Sequence, residues 1–288
     1  MSDKSLPTLF IPHGAGPCFF MEWKPAGTWD RMAAWLSGME AHVGTRPKAV
    51  VVVSAHWEAP AFTVNAARAP RLLYDYTGFP AHTYRLTWPA PGSPMLAGRI
   101  RSLLREAGLE AKEECRRGLD HGVFIPLKVA FPGADLPVVQ VSLKRGLDPE
   151  VHLALGRALA PLRREGVLIL GSGMSFHNMG RFRPEGSPVD MDSRRFDAWL
   201  EETVALSQRE RDLRLSRWTE APGARAAHPR EEHLLPLHVV AGAAGDDTGE
   251  LVFRDEIMGS VQSAFRFGGQ GATDESVEIR NYSDTSRH

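Results

Sequence analysis

Only two cysteines, Cys18 and Cys115, occur in the 288 residues, and they are widely separated and form no CxxC pair. That excludes a disulfide framework and a thiolate metal site, and it points to reduced thiols in a cytosolic protein. Charge of one sign is not in excess: the formal net charge is −1, so there is no electrostatic footprint for nucleic acid or for an anionic membrane. No apolar run approaches the ~20 residues that a membrane span requires, and the apolar segment near Met1 is too short for a secretory leader. There is no internal repeat, and no long Pro/Gly/Ser linker divides the apolar runs between Thr8 and Phe267. The expectation is one catalytic-size domain over 1–267 with a large core, followed by a polar, loosely held tail over 268–288.

What the chain does have is short apolar runs that end in histidine. The segment KAVVVVSAHWE (48–58) carries four consecutive valines, the pattern of a strand covered on both faces of a parallel sheet, and it runs out at His56. PTLFIP (7–12) ends at His13, and GVLILG (166–171) opens into GSGMSFH, ending at His177. In an open α/β sheet, ligands bind where parallel strands end, so these imidazoles are expected at one edge. The glycines after His13 do not complete GxGxxG, and Pro17 interrupts any helix there, so a phosphate cradle is not indicated. Nor does GSGMS match the G-x-S-x-G elbow of a serine hydrolase.

Other segments fill in the frame. Periodicity predicts helices over 28–43, 95–107, 150–165 and 190–218, with His42 and His152 on their surfaces, and a strand over 136–143. Residues 62–65 read as an edge strand, and 251–254 and 258–267 as final strands. GLDHGVFIPLKVAFP (118–132) reads as a helix that Asp120 would cap, with His121 at its start. Pro229, Glu231 and Glu232 suggest another helix start, with His233 and Leu237 sharing a face and His228 and His238 elsewhere. The Tyr-rich loop 71–94 is either an aromatic-anchored cover or a lid, with Tyr74, Tyr76 and His82 as candidate substrate contacts.

Neutral imidazole is the commonest protein metal ligand, and several together suit zinc, iron or copper better than magnesium or calcium. The competing reading is a satisfied structural histidine at each position with no common site.

Seven segments in order carry a resemblance: PHGAGP (12–17), SAHWE (54–58), TGFPAHTY (77–84), PAPGSP (89–94), LDHG (119–122), GSGMSFHN (171–178) and EEHLLPLHVVAGA (231–243). Together they resemble the class III extradiol ring-cleavage dioxygenases, particularly the single-chain DOPA-4,5-dioxygenase-type branch, over nearly the whole chain to about Phe267. The resemblance implies a single α/β domain with a mostly parallel central sheet flanked by helices and an active site at the carboxyl edge of the strands. It further implies a non-haem Fe(II) centre, with Zn(II) in some relatives, acting on a catechol-type substrate and O2. By motif, His13, His56 and His233 are the implied ligands. His177 is the implied acid/base residue and is counted as a ligand in zinc-bound relatives, and His121 orients substrate or dioxygen. Better known members complete the triad with a carboxylate where this branch has histidine, so Glu231 and Glu232 stand as alternatives to His233. Independently of the resemblance, Arg181 and Arg183, just after His177, read either as partners for a carboxylate on the substrate or as surface residues. The alternative function is a zinc-dependent hydrolase or deacylase using the same histidines.

Overall fold

In the computed structural model, which describes residues 5–269, eight strands form one sheet. They are β1 (Thr8–Pro12), β2 (Ala49–Ala59), β3 (Phe62–Asn65), β4 (Ala111–Glu114), β5 (Val138–Lys144), β6 (Val167–Gly173), β7 (Gly249–Ile257) and β8 (Ser260–Phe267), in the order β4-β3-β5-β2-β6-β1-β8-β7. The four middle strands β5, β2, β6 and β1 are mutually parallel. Antiparallel pairings join β8 to β1, β7 to β8 and β3 to β5, while β4 runs parallel to β3. The expected α/β architecture with a mostly parallel sheet is therefore the observed one.

The valine run explains itself once both faces are covered. Val51 and Val53 enter one apolar core with Phe10 and Ile169, while Val50 and Val52 enter the other with Leu9, Ile11, Leu168 and Leu170. Side chains alternate across a strand, so a run with no polar member requires helices on both sides. Those helices are α1 (Asp30–Ser37), α2 (Met39–Val43), α3 (Pro94–Glu106), α4 (His121–Ala130), α5 (Pro149–Leu159), α6 (Met191–Val204), α7 (Gln208–Ser216), α8 (Ala224–Ala227) and α9 (Leu235–Ala244). Every residue of α9 is buried. It lies so close to α5 that a Cβ on Gly156 or Gly242 would overlap a backbone carbonyl of the other helix. Its last carbonyls accept hydrogen bonds from two buried arginines: Arg163 to Ala243 and Ala244, at 3.1 and 2.8 Å, and Arg211 to Ala241 and Gly245, at 2.9 and 2.8 Å. Positive charge at a helix C-terminus opposes the dipole and satisfies its orphan acceptors.

Several boundaries differ from expectation. The predicted helix over 28–43 is two helices broken at Gly38, and that over 190–218 is broken between Val204 and Gln208. The edge of the sheet is β4, not β3; its sequence AKEE has no apolar pattern to announce a strand. The helix expected from Pro229 begins only at Leu235, with Pro236 in its first turn, so His233 precedes the helix and does not share its face with Leu237. His152 is fully buried, against the surface position expected of it. Its Nδ1 donates to the Asp148 carbonyl at 2.7 Å, and its Nε2 accepts from the Lys144 amide at 3.1 Å, tying the start of α5 to the end of β5. The tail from residue 270 lies outside the described residues.

Burial, aided by nearby His238 and Lys144 and opposed by the Asp148 carbonyl, depresses His152 to about 4 from 6.5. The unfolded chain therefore takes up a proton before the folded one does as pH falls, and stability drops between pH 6.5 and 4. The buried imidazole accounts for about 3 kcal/mol of that drop. We expect His152→Gln to flatten the pH dependence of urea-unfolding free energy across this window relative to wild type; an unchanged slope would contradict the assignment.

Candidate metal centre

Three histidines are brought together by three different backbone devices, within two adjoining groups of possible ligands: His13, His56 and His121, and His177, Glu232 and His233. His13 follows β1, its amide still in the ladder with the Gly173 carbonyl at 3.1 Å, before Gly14 turns the chain at φ +82°. His56 lies in a bulge of β2, where the five-residue step from Val53 to Glu58 faces only the two-residue step from Val141 to Leu143 on β5. Such a bulge re-aims a side chain out of strand register. Gly122 makes room for it, since a Cβ there would lie 3.0 Å from the His56 ring and inside the Ser54 hydroxyl. His233 is held by its backbone: its carbonyl accepts from the Met174 amide at 3.1 Å. A Cβ on Gly173 would overlap that same carbonyl oxygen, and one on Gly171 would overlap the Pro236 carbonyl. The glycines of GSGMS thus admit the His233 segment against the end of β6.

The ring centroids of His13, His56 and His233 form a triangle of 4.8, 5.2 and 4.9 Å. Each ring has an acceptor on its Nδ1 side. His13 Nδ1 is 3.0 Å from the Gly14 carbonyl, His233 Nδ1 is 3.1 Å from Glu232 Oε1, and His56 Nδ1 is 4.0 Å from Asp75 Oδ2. Donation from Nδ1 leaves Nε2 of His13 and His233 as a bare lone pair in the neutral ring. The Nε2 atoms of His13 and His56 are 3.3 Å apart, and the buried Nε2 of His233 has no protein partner.

All three rings are neutral at pH 7. Burial, followed by the neighbouring imidazoles, drives His13 and His233 well below the usual range. The same two causes take His56 to about 3, with Asp75 opposing. Nitrogens bound ~2.1 Å from one ion lie roughly 3.0–3.4 Å from each other in octahedral or tetrahedral sites. The 3.3 Å separation and the orphaned nitrogen fit a shared cation, and carboxylate or carbonyl partners on Nδ1 are the usual outer support of histidine ligands.

Two more imidazoles join the group. The His177 ring stacks on His233 at 3.4 Å and 14°, with its Nδ1 3.7 Å from Glu232. Burial and then His121 lower its pKa to about 4. The His121 ring is 3.9 Å from His56, and its Nδ1 donates to Asp75 at 2.8 Å. Tyr76 brings its ring to 5.8 Å from His121, but its hydroxyl donates to the Thr83 carbonyl at 2.7 Å. His82 is exposed and engaged with the Phe20 carbonyl at 3.0 Å. Glu231 pairs with Arg225 at 2.7 Å, whereas Glu232 lies on the Nδ1 side of His233. Arg181 is committed to Asp190 and Asp192 at the start of α6, and the Arg183 amide donates to the Met258 carbonyl at 2.9 Å.

One carboxylate was not singled out by pattern, and another, Asp120, holds the expected N-cap position without the expected side-chain cap. Asp75 sits inside the Tyr-rich loop, where its neighbours draw attention to aromatics. Asp120 makes no side-chain cap to α4; its carboxylate turns inward to Ser54, Gln140 and Arg117. The absence of any polar partner for Asp120 within its own helix start was invisible in sequence.

A parallel sheet whose carboxyl edge gathers buried, neutral imidazoles is the arrangement of an α/β protein able to hold a metal ion there. Comparison with known proteins carries this further. The family model of the catalytic LigB subunit of aromatic ring-opening dioxygenase matches residues 8–266, and the chain belongs to that family. It is 38% identical over 262 residues to the 4,5-DOPA dioxygenase extradiol of Beta vulgaris, covering 91% of this chain and 95% of that one. It is 43% identical over 212 residues to the protein of the same name from Portulaca grandiflora, covering 73% and 78%. The crystal structure of an uncharacterized Escherichia coli K12 protein superimposes with a TM-score of 0.74 at 30% identity, covering 91% of this chain and all of that one. The chain is accordingly an extradiol, ring-opening dioxygenase with a metal-dependent site, and the hydrolase reading is not favoured.

Because Gly173 admits the His233 carbonyl, we expect Gly173→Ala to cost about 1–3 kcal/mol of stability through overpacking and to lower bound metal at least about tenfold by displacing a ligand arm. Gly98→Ala, inside α3 where a Cβ meets open space, should leave metal content unchanged and lose no stability. Metal analysis and thermal melts of the two variants check this; equal metal content in both would contradict it.

Proposed function

We propose that the chain opens the ring of a substituted catechol beside its vicinal hydroxyls, using O2 and an Fe(II) ion held by the Nε2 atoms of His13, His56 and His233. Zn(II) is the competing occupant of the same nitrogen set. The observation that carries the reading is the gathering of buried, neutral imidazoles, with the Nε2 atoms of two of them 3.3 Å apart. The relatives' names, 4,5-DOPA dioxygenase extradiol, support a catechol bearing an aliphatic substituent. The two free thiols, Cys18 and Cys115, support a reducing, cytoplasmic setting.

When bound, the metal supplies chelation of both substrate oxygens, acidification of the hydroxyls and a place for dioxygen. The protein supplies positioning and proton transfer. His177 enters the reaction as a free base, because its buried ring titrates at about 4. It is unprotonated and placed to receive a hydroxyl proton once a bound metal has acidified that group, and its low proton affinity favours returning the proton as the ring opens. His121 is held at Nδ1 by Asp75, which leaves its Nε2 to orient substrate or dioxygen. Tyr76 offers its ring as a wall, since its hydroxyl is already bonded, and His82 braces the loop against Phe20. Both oxygen atoms enter the product, a muconic semialdehyde-type acid: the substrate is oxidised, O2 is reduced, and no outside reductant is needed.

The test is oxygen uptake by anaerobically Fe(II)-reconstituted protein offered a panel of catechols. We expect uptake matched one to one by a yellow product, whereas a hydrolase would consume no oxygen. His177→Ala should keep its metal and lose about 10²–10⁴-fold in kcat; full turnover in that variant would refute the base role.

A further inference from the structure

The Tyr-rich loop carries one acidic side chain that reaches the histidine cluster. Asp75 Oδ1 accepts from the His121 amide at 2.9 Å and from His121 Nδ1 at 2.8 Å, and Oδ2 lies 4.0 Å from His56 Nδ1. The residue in place to cap α4, Asp120, does not do so, because its carboxylate is consumed by Ser54, Gln140 and Arg117. Asp75 supplies that missing acceptor from another part of the chain. One carboxylate therefore sets the start of a helix, the orientation of an imidazole at that start, and one side of a ligand ring in the β2 bulge.

The consequence for His121 is a choice of tautomer. The Nδ1 hydrogen goes to Asp75, so the neutral ring has its lone pair on Nε2. His177 has no equivalent support, since its nearest carboxylate oxygen is 3.7 Å from Nδ1, beyond hydrogen-bond reach. The loop that carries Asp75 is itself tethered: Tyr74 donates to the Leu86 carbonyl at 2.6 Å, Tyr76 to that of Thr83 at 2.7 Å, and Lys128 to that of Thr87 at 2.9 Å. The aromatic loop is thus a built wall and not a free lid, and the carboxylate is delivered with it.

From this geometry we infer that Asp75 is a positioning residue for ring cleavage, fixing His121 in the tautomer with a bare Nε2 and coupling the aromatic wall to the metal centre. The inference rests on the ring-opening reading of the site. Asp75→Asn keeps Oδ1, the atom that accepts from both the amide and Nδ1 of His121, so the fold is retained; without the carboxylate charge the bond to Nδ1–H weakens and the ring can change tautomer. Asp75→Glu restores the charge at slightly longer reach.

The experiment pairs kinetics with a readout independent of turnover. Long-range proton–nitrogen spectra of the Zn(II)-loaded chain, with His121 assigned by loss of its signals in His121→Gln, report which ring nitrogen carries the hydrogen. Wild type should show a protonated Nδ1 on His121, and Asp75→Asn a measurable shift toward a protonated Nε2. In Fe(II)-loaded protein with 4-methylcatechol as probe, kcat should fall about 10- to 100-fold with metal content unchanged and KM within about threefold. Asp75→Glu should recover part of the loss. An unchanged tautomer in Asp75→Asn, whether with wild-type kcat or with activity lost in step with lost metal, would overturn the inference. A wild-type chain that takes up no oxygen with any catechol would sink the ring-opening reading instead, and the tautomer result would still decide the role of Asp75.

Discussion

Two imidazole nitrogens brought to 3.3 Å from one another are the interaction on which the rest of this molecule turns. Neither can take a proton cheaply. A neutral ring protonated at Nε2 forfeits the Nδ1–H; for His13 that would leave a bare nitrogen against the Gly14 carbonyl, and a charged ring would be buried among other imidazoles. A cation shared with the orphaned Nε2 of His233, as proposed above, would use all three lone pairs, and the fold holds the three rings in place for it.

The supports are backbone features more than side-chain contacts. Parallel pairing of β1, β2 and β6 brings His13 and His56 to the same edge of the sheet. The bulge in β2 turns His56 inward, and glycines at 122, 171 and 173 remove the Cβ atoms that would hold the arms apart. α9, pinned at its far end by Arg163 and Arg211 and packed glycine to backbone against α5, fixes where the His233 segment enters. Each device costs conformational freedom or desolvation, and each acts on the position of one nitrogen. The carboxylates Glu232 and Asp75 then choose the tautomer.

Much of this was legible beforehand because the signals were local. A run of four valines can only be a doubly covered strand, and a histidine at the end of each of three such runs places imidazoles on one edge. The helices of 28–43 and 190–218 were legible as apolar stripes, but not their breaks, since a kink at Gly38 or after Val204 leaves the stripe intact. The start of α9 was misjudged because Pro229, Glu231 and Glu232 satisfy the rules for a helix start while tertiary pairing of His233 with Met174 overrides them. His152 and Asp75 illustrate the remaining gap. A buried histidine bonded to a neighbouring strand and a loop carboxylate that caps a distant helix depend on contacts across the chain, and no spacing rule encodes them.

The most direct test of the shared-cation account is metal stoichiometry in single-ligand variants. His13→Ala, His56→Ala and His233→Ala are purified folded, reconstituted with Fe(II) under anaerobic conditions, desalted and analysed beside wild type. The account predicts one tightly held ion per chain in wild type and loss of that ion in all three variants alike. A variant that keeps a full equivalent of metal would show that its imidazole does not face a common ion, and the central claim would fail.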